Sequence, residues 1–120
     1  MPVIVAALLA VFLFSAPPLL ADTFRTINDR DTFVDVVKNR HLKRLGITLK
    51  VSEAGQIVGR AFGRDVTGRW QWSDDGYFCR DLYFGEESLG PNCQLVEING
   101  STLRFTSDKG DGVYADLRLR

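Results

Sequence analysis

Residues 68–80 read GRWQWSDDGYFCR and largely determine the predicted fold. Apolar and polar residues alternate on both sides of Asp74-Asp75-Gly76, and a period of two is typical of β-strands that bury one face. Aspartate and glycine between two such runs favour a tight turn. The stretch therefore predicts a β-hairpin whose second strand carries Cys79.

The same alternation continues on both sides of this hairpin. Asn99-Gly100 is a strong hairpin signal, and the other connections are too short for the crossovers that parallel strands need. We predict seven strands, at residues 47–51, 56–62, 66–72, 77–84, 93–98, 102–106 and 113–119. The predicted fold class is mainly β (α+β): an antiparallel meander that forms a small barrel or sandwich, with one N-terminal helix packed on it.

The N-terminal helix is predicted over residues 32–45. Phe33, Val36 and Val37 recur at three- and four-residue spacing, Thr32 with Asp35 resembles a capping box, and Gly46 ends the pattern. Basic residues gather at its end, where the helix dipole favours them: Lys38, Arg40, Lys43 and Arg44. We interpret them as a solvated helix end, with a docking site for an anionic partner as the alternative.

The second predicted strand has a nearly bare face. Gly59 and Ala61 leave room there for another element to approach closely, as glycine in a strand often does. We expect Phe33 and Val37 of the helix to pack near this face.

Residues 1–21 predict a signal peptide. The apolar run at 3–14 is followed by Pro17 and Pro18, which break a helix, and Ala21 offers a small residue at the cleavage point. A retained membrane anchor is the alternative, since the run is about long enough to span a bilayer. The prolines and the absence of flanking basic residues disfavour that alternative.

Cleavage leaves residues 22–120 as a single β-rich domain, periplasmic or secreted and without a stable membrane span. All the charged residues lie in this part, fifteen basic and fifteen acidic, so the formal net charge is zero. Binding of nucleic acid requires a surplus of Lys and Arg on one face, and the balance disfavours that class of function.

The two cysteines of an exported chain are first interpreted as a disulfide between Cys79 and Cys93. Metal ligation is the competing interpretation, but two sulfurs and the single, distant His41 fall short of the four ligands of a structural zinc site. A reactive thiol is the third. No metal and no cofactor is predicted.

A candidate ligand site follows from the cysteine pair. If the two cysteines bridge adjacent strands, Arg80 and Gln94 both point to the opposite face, because successive side chains alternate. Other strands supply further candidates: Arg60, Arg69 and Arg104. A guanidinium group suits an anionic small ligand. The alternative is a structural network in which Arg80 pairs with a carboxylate such as Asp116 or Glu97.

The second candidate group is aromatic. Trp70 and Trp72 share one strand face, and the following turn brings Tyr77 and Phe78 back alongside them. Such a platform can hold a sugar ring or an apolar ligand. In a domain of this size the rings are more often part of the core.

Catalytic patterns are mostly absent from the sequence. His41 has no nucleophile near it in the chain, and spacing alone does not select an acid and base pair among the carboxylates. Residues 110–115 match the glycine-rich dinucleotide motif, but the alternation after Ala115 predicts a strand where that motif needs a helix.

Several short segments resemble a group of small secreted bacterial proteins with no established activity. They are Gly68-x-Trp70-x-Trp72, Gly76-Tyr77-Phe78-Cys79-Arg80, Asn92-Cys93-Gln94 and Leu103-Arg104-Phe105. Members often carry an automatic label of dihydrodipicolinate reductase, which implies a nicotinamide-binding domain. The chain is too short for that domain and has no βαβ unit, so the resemblance is taken as family membership without an activity.

We therefore expect a non-enzymatic exported domain that binds a small ligand or an envelope protein. The candidate ligand-binding residues are Arg80, Gln94, Trp70, Trp72 and Arg104. An enzyme is the alternative and predicts tight binding of a nicotinamide cofactor. A purely structural or interaction module is the third hypothesis, favoured by fully buried aromatic residues.

Overall fold

The computed structural model describes residues 23–120, and the predicted signal peptide lies outside this range. The described residues form nine strands, one α-helix and a short 3-10 turn. The helix is α1 (Arg30–Val37), and the 3-10 turn is Asp108–Gly110. The strands are β1 (Arg25–Thr26), β2 (Leu42–Arg44), β3 (Ile47–Val51), β4 (Gln56–Ala61), β5 (Arg64–Trp72), β6 (Phe78–Phe84), β7 (Glu87–Asn99), β8 (Thr102–Thr106) and β9 (Tyr114–Leu119). Among these residues, no helix is long and apolar enough to cross a membrane.

Eight of the strands close into an antiparallel barrel. Each strand from β2 to β9 pairs with the next, and the β2–β9 pair closes the circle. The long strand β7 pairs with β6 through its first part and with β8 through its second. The short β1 pairs with that second part of β7. The predicted mainly β meander with one helix is confirmed, and it closes as a barrel rather than a sandwich.

The helix is shorter than predicted and begins earlier. Asp29 is its N-cap, and the Asp29 carboxylate accepts a hydrogen bond from the Thr32 backbone N–H at 3.0 Å. The predicted capping box at Thr32 is therefore wrong. The backbone becomes extended at Lys38 and left-handed at Asn39, with φ +59°, so the helix ends well before Gly46.

The predicted second half of the helix is wrong because residues 42–44 form β2. This strand pairs with β3 on one side and β9 on the other. Leu42 is buried in the barrel, whereas Lys43 and Arg44 are exposed on a strand rather than at a helix end. Tertiary pairing outweighs a local pattern that resembles a helix C-terminus.

Strand β7 begins at Glu87, six residues before its predicted start at Cys93. Gly90 and Pro91 argue against a strand in the sequence, but Pro91 lies opposite Asp81 in the β6–β7 ladder, with an irregular register between Leu82 and Tyr83. The predicted strand count of seven is low by two because β1 and β2 are too short to show alternation.

The barrel has two distinct ends. Because consecutive strands are antiparallel, the connections at 45–46, 62–63 and 85–86 lie at one end, here called the tip end. The connections at 52–55 and 73–77 and α1 lie at the other, called the helix end, and the 107–113 connection reaches toward it, because Lys109 forms a salt bridge with Asp75 at 2.9 Å. There the Arg30 guanidinium donates to the Glu53 carbonyl at 2.6 Å and the Trp72 indole N–H donates to the Asn28 carbonyl at 3.2 Å. The helix therefore covers one opening of the barrel.

Phe33 is the centre of the core, with no solvent exposure. Its ring lies between 5.1 and 6.4 Å, centroid to centroid, from four other rings. We call these five rings the aromatic cluster: Phe33, Trp70, Trp72, Phe78 and Phe105. Gly59, near which the helix was expected to pack, lies against β3, and a Cβ atom there would collide with the Thr48 carbonyl. Glycine at this position therefore lets the backbones of the paired strands β3 and β4 approach closely.

The disulfide predicts a measurable stability difference. Replacing Cys93 with serine should lower the free energy of unfolding by about 3 kcal/mol, because it opens a loop that constrains the unfolded chain. Urea denaturation under oxidising conditions measures the change. Wild-type protein treated with dithiothreitol is the control and should lose a similar amount, whereas an unchanged midpoint in the variant would contradict the prediction.

The packing of the aromatic cluster predicts a second loss of stability on mutation. Phe33→Ala should lower the free energy of unfolding by about 3 to 5 kcal/mol, since it leaves a cavity among four rings. Phe62→Ala is a matched control, because Phe62 is 71% exposed and its truncation should change stability by only about 0.5 kcal/mol. Equal losses in the two variants would contradict a core centred on Phe33.

Candidate ligand-binding site

The predicted disulfide is present and fixes the register of two strands. Cys79 of β6 lies directly opposite Cys93 of β7, with their Cα atoms 3.9 Å apart and a sulfur–sulfur bond between them. Alternation places Arg80 and Gln94 on the other face of the sheet, which is the inside of the barrel. Arg80 lies opposite Asn92 and Gln94 lies opposite Phe78, so the two are diagonal neighbours.

An internal cavity of about 190 Å³ lies beside these two side chains. Its wall is mostly apolar. The lining residues are Leu42, Arg44, Ile47, Leu49, Val51, Ile57, Phe78, Arg80, Leu82, Gln94, Phe105, Ala115 and Leu117. Phe78 and Phe105 belong to the aromatic cluster and form the floor, whereas Arg44 and Ile47 flank the β2–β3 turn at the tip end. Val51 and Ile57 flank the turn at the helix end, so the cavity extends along the inside of the barrel from the tip end to the aromatic cluster.

Arg80 is the most unusual residue of this cavity. Its Nη1 group donates to the Gly90 carbonyl at 2.7 Å, and within residues 23–120 it forms no salt bridge. A guanidinium has five N–H donors, so most of them have no acceptor among the described residues. No fully buried side-chain nitrogen or oxygen in this range lacks a hydrogen bond, so the spare Arg80 donors are accessible, and Arg80 lines both this cavity and the outer depression described below.

The electrostatics of Arg80 follow from this position. Burial lowers the pKa of Arg80, and the nearby charge of Asp81 opposes the shift. Arginine remains protonated under ordinary conditions in spite of such a shift. The cavity therefore holds a partly desolvated positive charge, which an anion would stabilise.

Gln94 adds a polar amide to the same wall. Its Nε2 group is 3.4 Å from the Ser107 hydroxyl, in the β8–β9 connection. Asn92 holds that connection more firmly, because its side-chain amide donates to the Asp108 carboxylate at 2.8 Å and accepts from the Asp108 backbone N–H at 3.0 Å. The connection thus lies against the strand that carries Gln94.

The other predicted site residues, Trp70, Trp72 and Arg104, do not line this cavity. Trp70 is 5% exposed in the aromatic cluster, and its indole N–H donates to the Ser52 carbonyl at 2.8 Å. Trp72 is half-buried in the same cluster, and neither tryptophan lines the cavity. Phe33 fills the space beside them. Trp70 nevertheless lies directly opposite Arg80 in the β5–β6 ladder, and the two residues share the outer depression described below rather than the internal cavity.

Arg104 lies on the outside of the barrel. It forms a two-pronged salt bridge with Asp116, at 2.8 Å from Nε and 3.0 Å from Nη2. The rings of Phe24 and Tyr114 each lie 4.1 Å from its guanidinium carbon. Asp116, suggested above as a partner of Arg80, thus pairs with Arg104. Arg60 is also exposed and lines neither depression with Arg80, whereas Arg69 lies with Arg80 in the outer depression described next.

A second depression, of about 460 Å³, surrounds the disulfide on the outer face. Arg69 and Asp81 are cross-strand partners there, and Gln71 lies opposite Cys79. It is larger than the internal cavity but more open, and its polar groups are exposed to water. The internal cavity combines apolar walls with a desolvated charge, which is the composition typical of small-molecule sites.

Other kinds of chemistry find little support among residues 23–120. No group of three or more His, Cys, Asp or Glu side chains in this range could hold a metal ion. The glycine-rich segment at 110–115 leads from the 3-10 turn into β9, which confirms the predicted strand. A dinucleotide-binding motif needs a helix at this position.

The chain matches no protein-family model, no curated protein and no solved structure.

The Arg104–Asp116 pair predicts a change in acid stability. The hydrogen bonds from Arg104 lower the pKa of Asp116, with the positive charges of Arg104 and Arg44 adding to the effect. A lowered folded-state pKa means that this stabilisation is complete above the unfolded pKa of about 3.9 and is lost as the pH falls through the folded value.

Asp116→Asn should therefore show a smaller loss of stability below about pH 4 than the wild type. Arg104→Gln should likewise reduce the pH dependence of stability below about pH 4, because it removes the hydrogen bonds that lower the pKa of Asp116. Urea midpoints measured across the acid range test this. A wild-type pH dependence in the Asp116→Asn variant would contradict a role for this pair.

Proposed function

We propose that this protein binds a small apolar anion in the barrel cavity, as an exported binding protein of the cell envelope. The ligand class is a short hydrocarbon with one anionic group, such as a carboxylate. The observation that carries the proposal is Arg80, a partly buried cation in a mostly apolar cavity that forms no salt bridge among residues 23–120.

The ligand class follows from the chemistry of the wall. A guanidinium binds a carboxylate through two parallel hydrogen bonds, and such charge-assisted bonds are about twice as strong as neutral ones. Gln94 offers a further amide on the same wall. The floor and sides are aliphatic or aromatic, as at Phe78, Leu82 and Phe105, and would contact the hydrocarbon part.

The size of the cavity limits the ligand. At about 190 Å³ it is smaller than the roughly 300–1,000 Å³ of pockets that enclose drug-sized molecules. A short-chain acid fits this range better than a long-chain lipid, unless only one end of a larger molecule enters.

The proposed compartment agrees with the cysteine chemistry. The Cys79–Cys93 disulfide is of the kind that persists outside the cytoplasm, and the predicted signal peptide would direct the chain there. The resemblance to small secreted bacterial proteins favours the same compartment. The ligand class rests on the cavity alone.

The test compares hexanoate with hexanol, which share a hydrocarbon chain and differ in charge. Isothermal titration should show saturable hexanoate binding that is stronger than hexanol binding. Arg80→Met should lower the affinity for hexanoate by about tenfold or more and leave the affinity for hexanol nearly unchanged. The substitution removes charge-assisted hydrogen bonds but keeps an apolar side chain. Leu82→Trp should fill the cavity and abolish binding of both.

Arg118→Met is the matched control. Arg118 is an exposed arginine on β9, and its replacement should leave the preference for hexanoate intact. Thermal melting verifies that all variants are folded. Absence of saturable binding, or equal effects of the Arg80 and Arg118 substitutions, would overturn the proposal.

A further inference from the structure

The tip end of the barrel exposes apolar side chains on two neighbouring hairpins. Leu45 is 94% exposed in the β2–β3 turn, and Phe62 is 71% exposed in the β4–β5 turn. Strands β3 and β4 pair beside these turns, and the Phe62 backbone N–H donates to the Gly46 carbonyl at 2.8 Å. The two turns therefore form one surface, which we call the tip patch and define by residues 43–46 and 60–64.

Phe62 occupies a backbone position that does not suit phenylalanine. Ala61 pairs with Arg64, so the loop has two residues, and Phe62 and Gly63 have φ values of +50° and +79°. Hairpin loops of this kind prefer Asn, Asp or Gly at the first position. The ring packs against the backbone of Gly46, where a Cβ atom would collide with it, but it stays 71% exposed, so this contact gains little from burial. Strained residues that the fold does not require concentrate at functional sites.

The charges of the tip patch are mostly positive. It contains four exposed basic residues: Lys43, Arg44, Arg60 and Arg64. Each exposed apolar residue is thus accompanied by two of them. Asp65 follows the patch and pairs with Arg60 at 2.7 Å, and the charge of Asp116 interacts with Arg44. Arg64 lies over the Phe84 ring at 4.2 Å, in the hairpin that carries Glu86 and Glu87, so the excess of positive charge is greatest at Lys43 and Arg44 beside Leu45.

We propose that the tip patch docks on an anionic lipid bilayer. Leu45 and Phe62 would enter the boundary between headgroups and acyl chains, and the basic side chains would contact the anionic headgroups. Arg44 and Ile47 belong to the same hairpin and also line the cavity, so docking brings the ligand cavity close to the membrane surface. The docking does not depend on the proposed ligand.

A bilayer fits this patch better than a protein does. Specific protein interfaces bury at least about 1,000 Å² and have a packed apolar centre, whereas this patch offers two apolar side chains among cations. A second copy of the chain would bring two positive patches together across a two-fold axis, where they would repel each other.

Vesicle co-sedimentation tests the proposal with residues 22–120, which contain every described strand and the helix. The protein should bind vesicles that contain phosphatidylglycerol, bind pure phosphatidylcholine vesicles much more weakly, and lose affinity as salt is raised. Phe62→Ser and Leu45→Ser should each reduce binding by roughly tenfold. Combined Arg60→Gln and Arg64→Gln substitutions should reduce the preference for anionic vesicles.

Val58→Ser is the matched control. Val58 is a half-exposed apolar residue of β4 outside the tip patch, and its substitution should leave vesicle binding unchanged. Phe62→Ser should bind hexanoate like the wild type, so that failure of docking is distinguishable from failure of the cavity site. Three results would overturn the proposal: no binding to anionic vesicles, equal losses in the Phe62 and Val58 variants, or a dimer that Phe62→Ser dissociates.

Discussion

The disulfide between Cys79 and Cys93 fixes the register on which the candidate site depends. The two residues are direct partners across β6 and β7, so a shift by one residue would turn Arg80 and Gln94 outward. With the observed register, a positive charge and an amide face the interior of a closed barrel. The covalent bond stabilises this placement against the unfavourable burial of Arg80. A chemical crosslink on the outer face thus supports a polar site on the inner one.

The interior of the barrel contains a packed aromatic core and, beside it, the candidate binding cavity. Helix α1 inserts Phe33 at one end, where it packs among four rings and closes that opening. Phe78 and Phe105 belong to this cluster and also line the cavity, so the core is the floor of the site. The rigid packing of the aromatic cluster keeps the neighbouring cavity open, because a collapse of the cavity wall would disturb rings that are already in contact. The helix does not cover the tip end, which is where we propose that the ligand enters and the membrane is contacted.

The sequence predicts the strands well where side chains alternate and the turns contain glycine. It also predicts that Arg80 and Gln94 share a face, since alternation around a disulfide is a local property. It fails between Lys38 and Arg44, where the basic residues suggest a helix end but pairing with the distant β9 forms a strand. The outward position of Arg104 and the absence of both tryptophans from the internal cavity were likewise unpredictable, because barrel closure decides which side chains meet. The sequence analysis did not single out Phe62, because its exposure and its positive φ depend on a turn conformation that no local pattern reveals.

The central claim is that an apolar anion enters the barrel and meets Arg80 there. Intermolecular nuclear Overhauser effects between bound hexanoate and the disulfide-bonded protein test this most directly. The account predicts contacts from the hydrocarbon protons to Phe78, Leu82 and Phe105, all of which line the internal cavity. Contacts to Pro91 and Gln71 in the outer depression instead, or no contacts at saturating hexanoate, would contradict it.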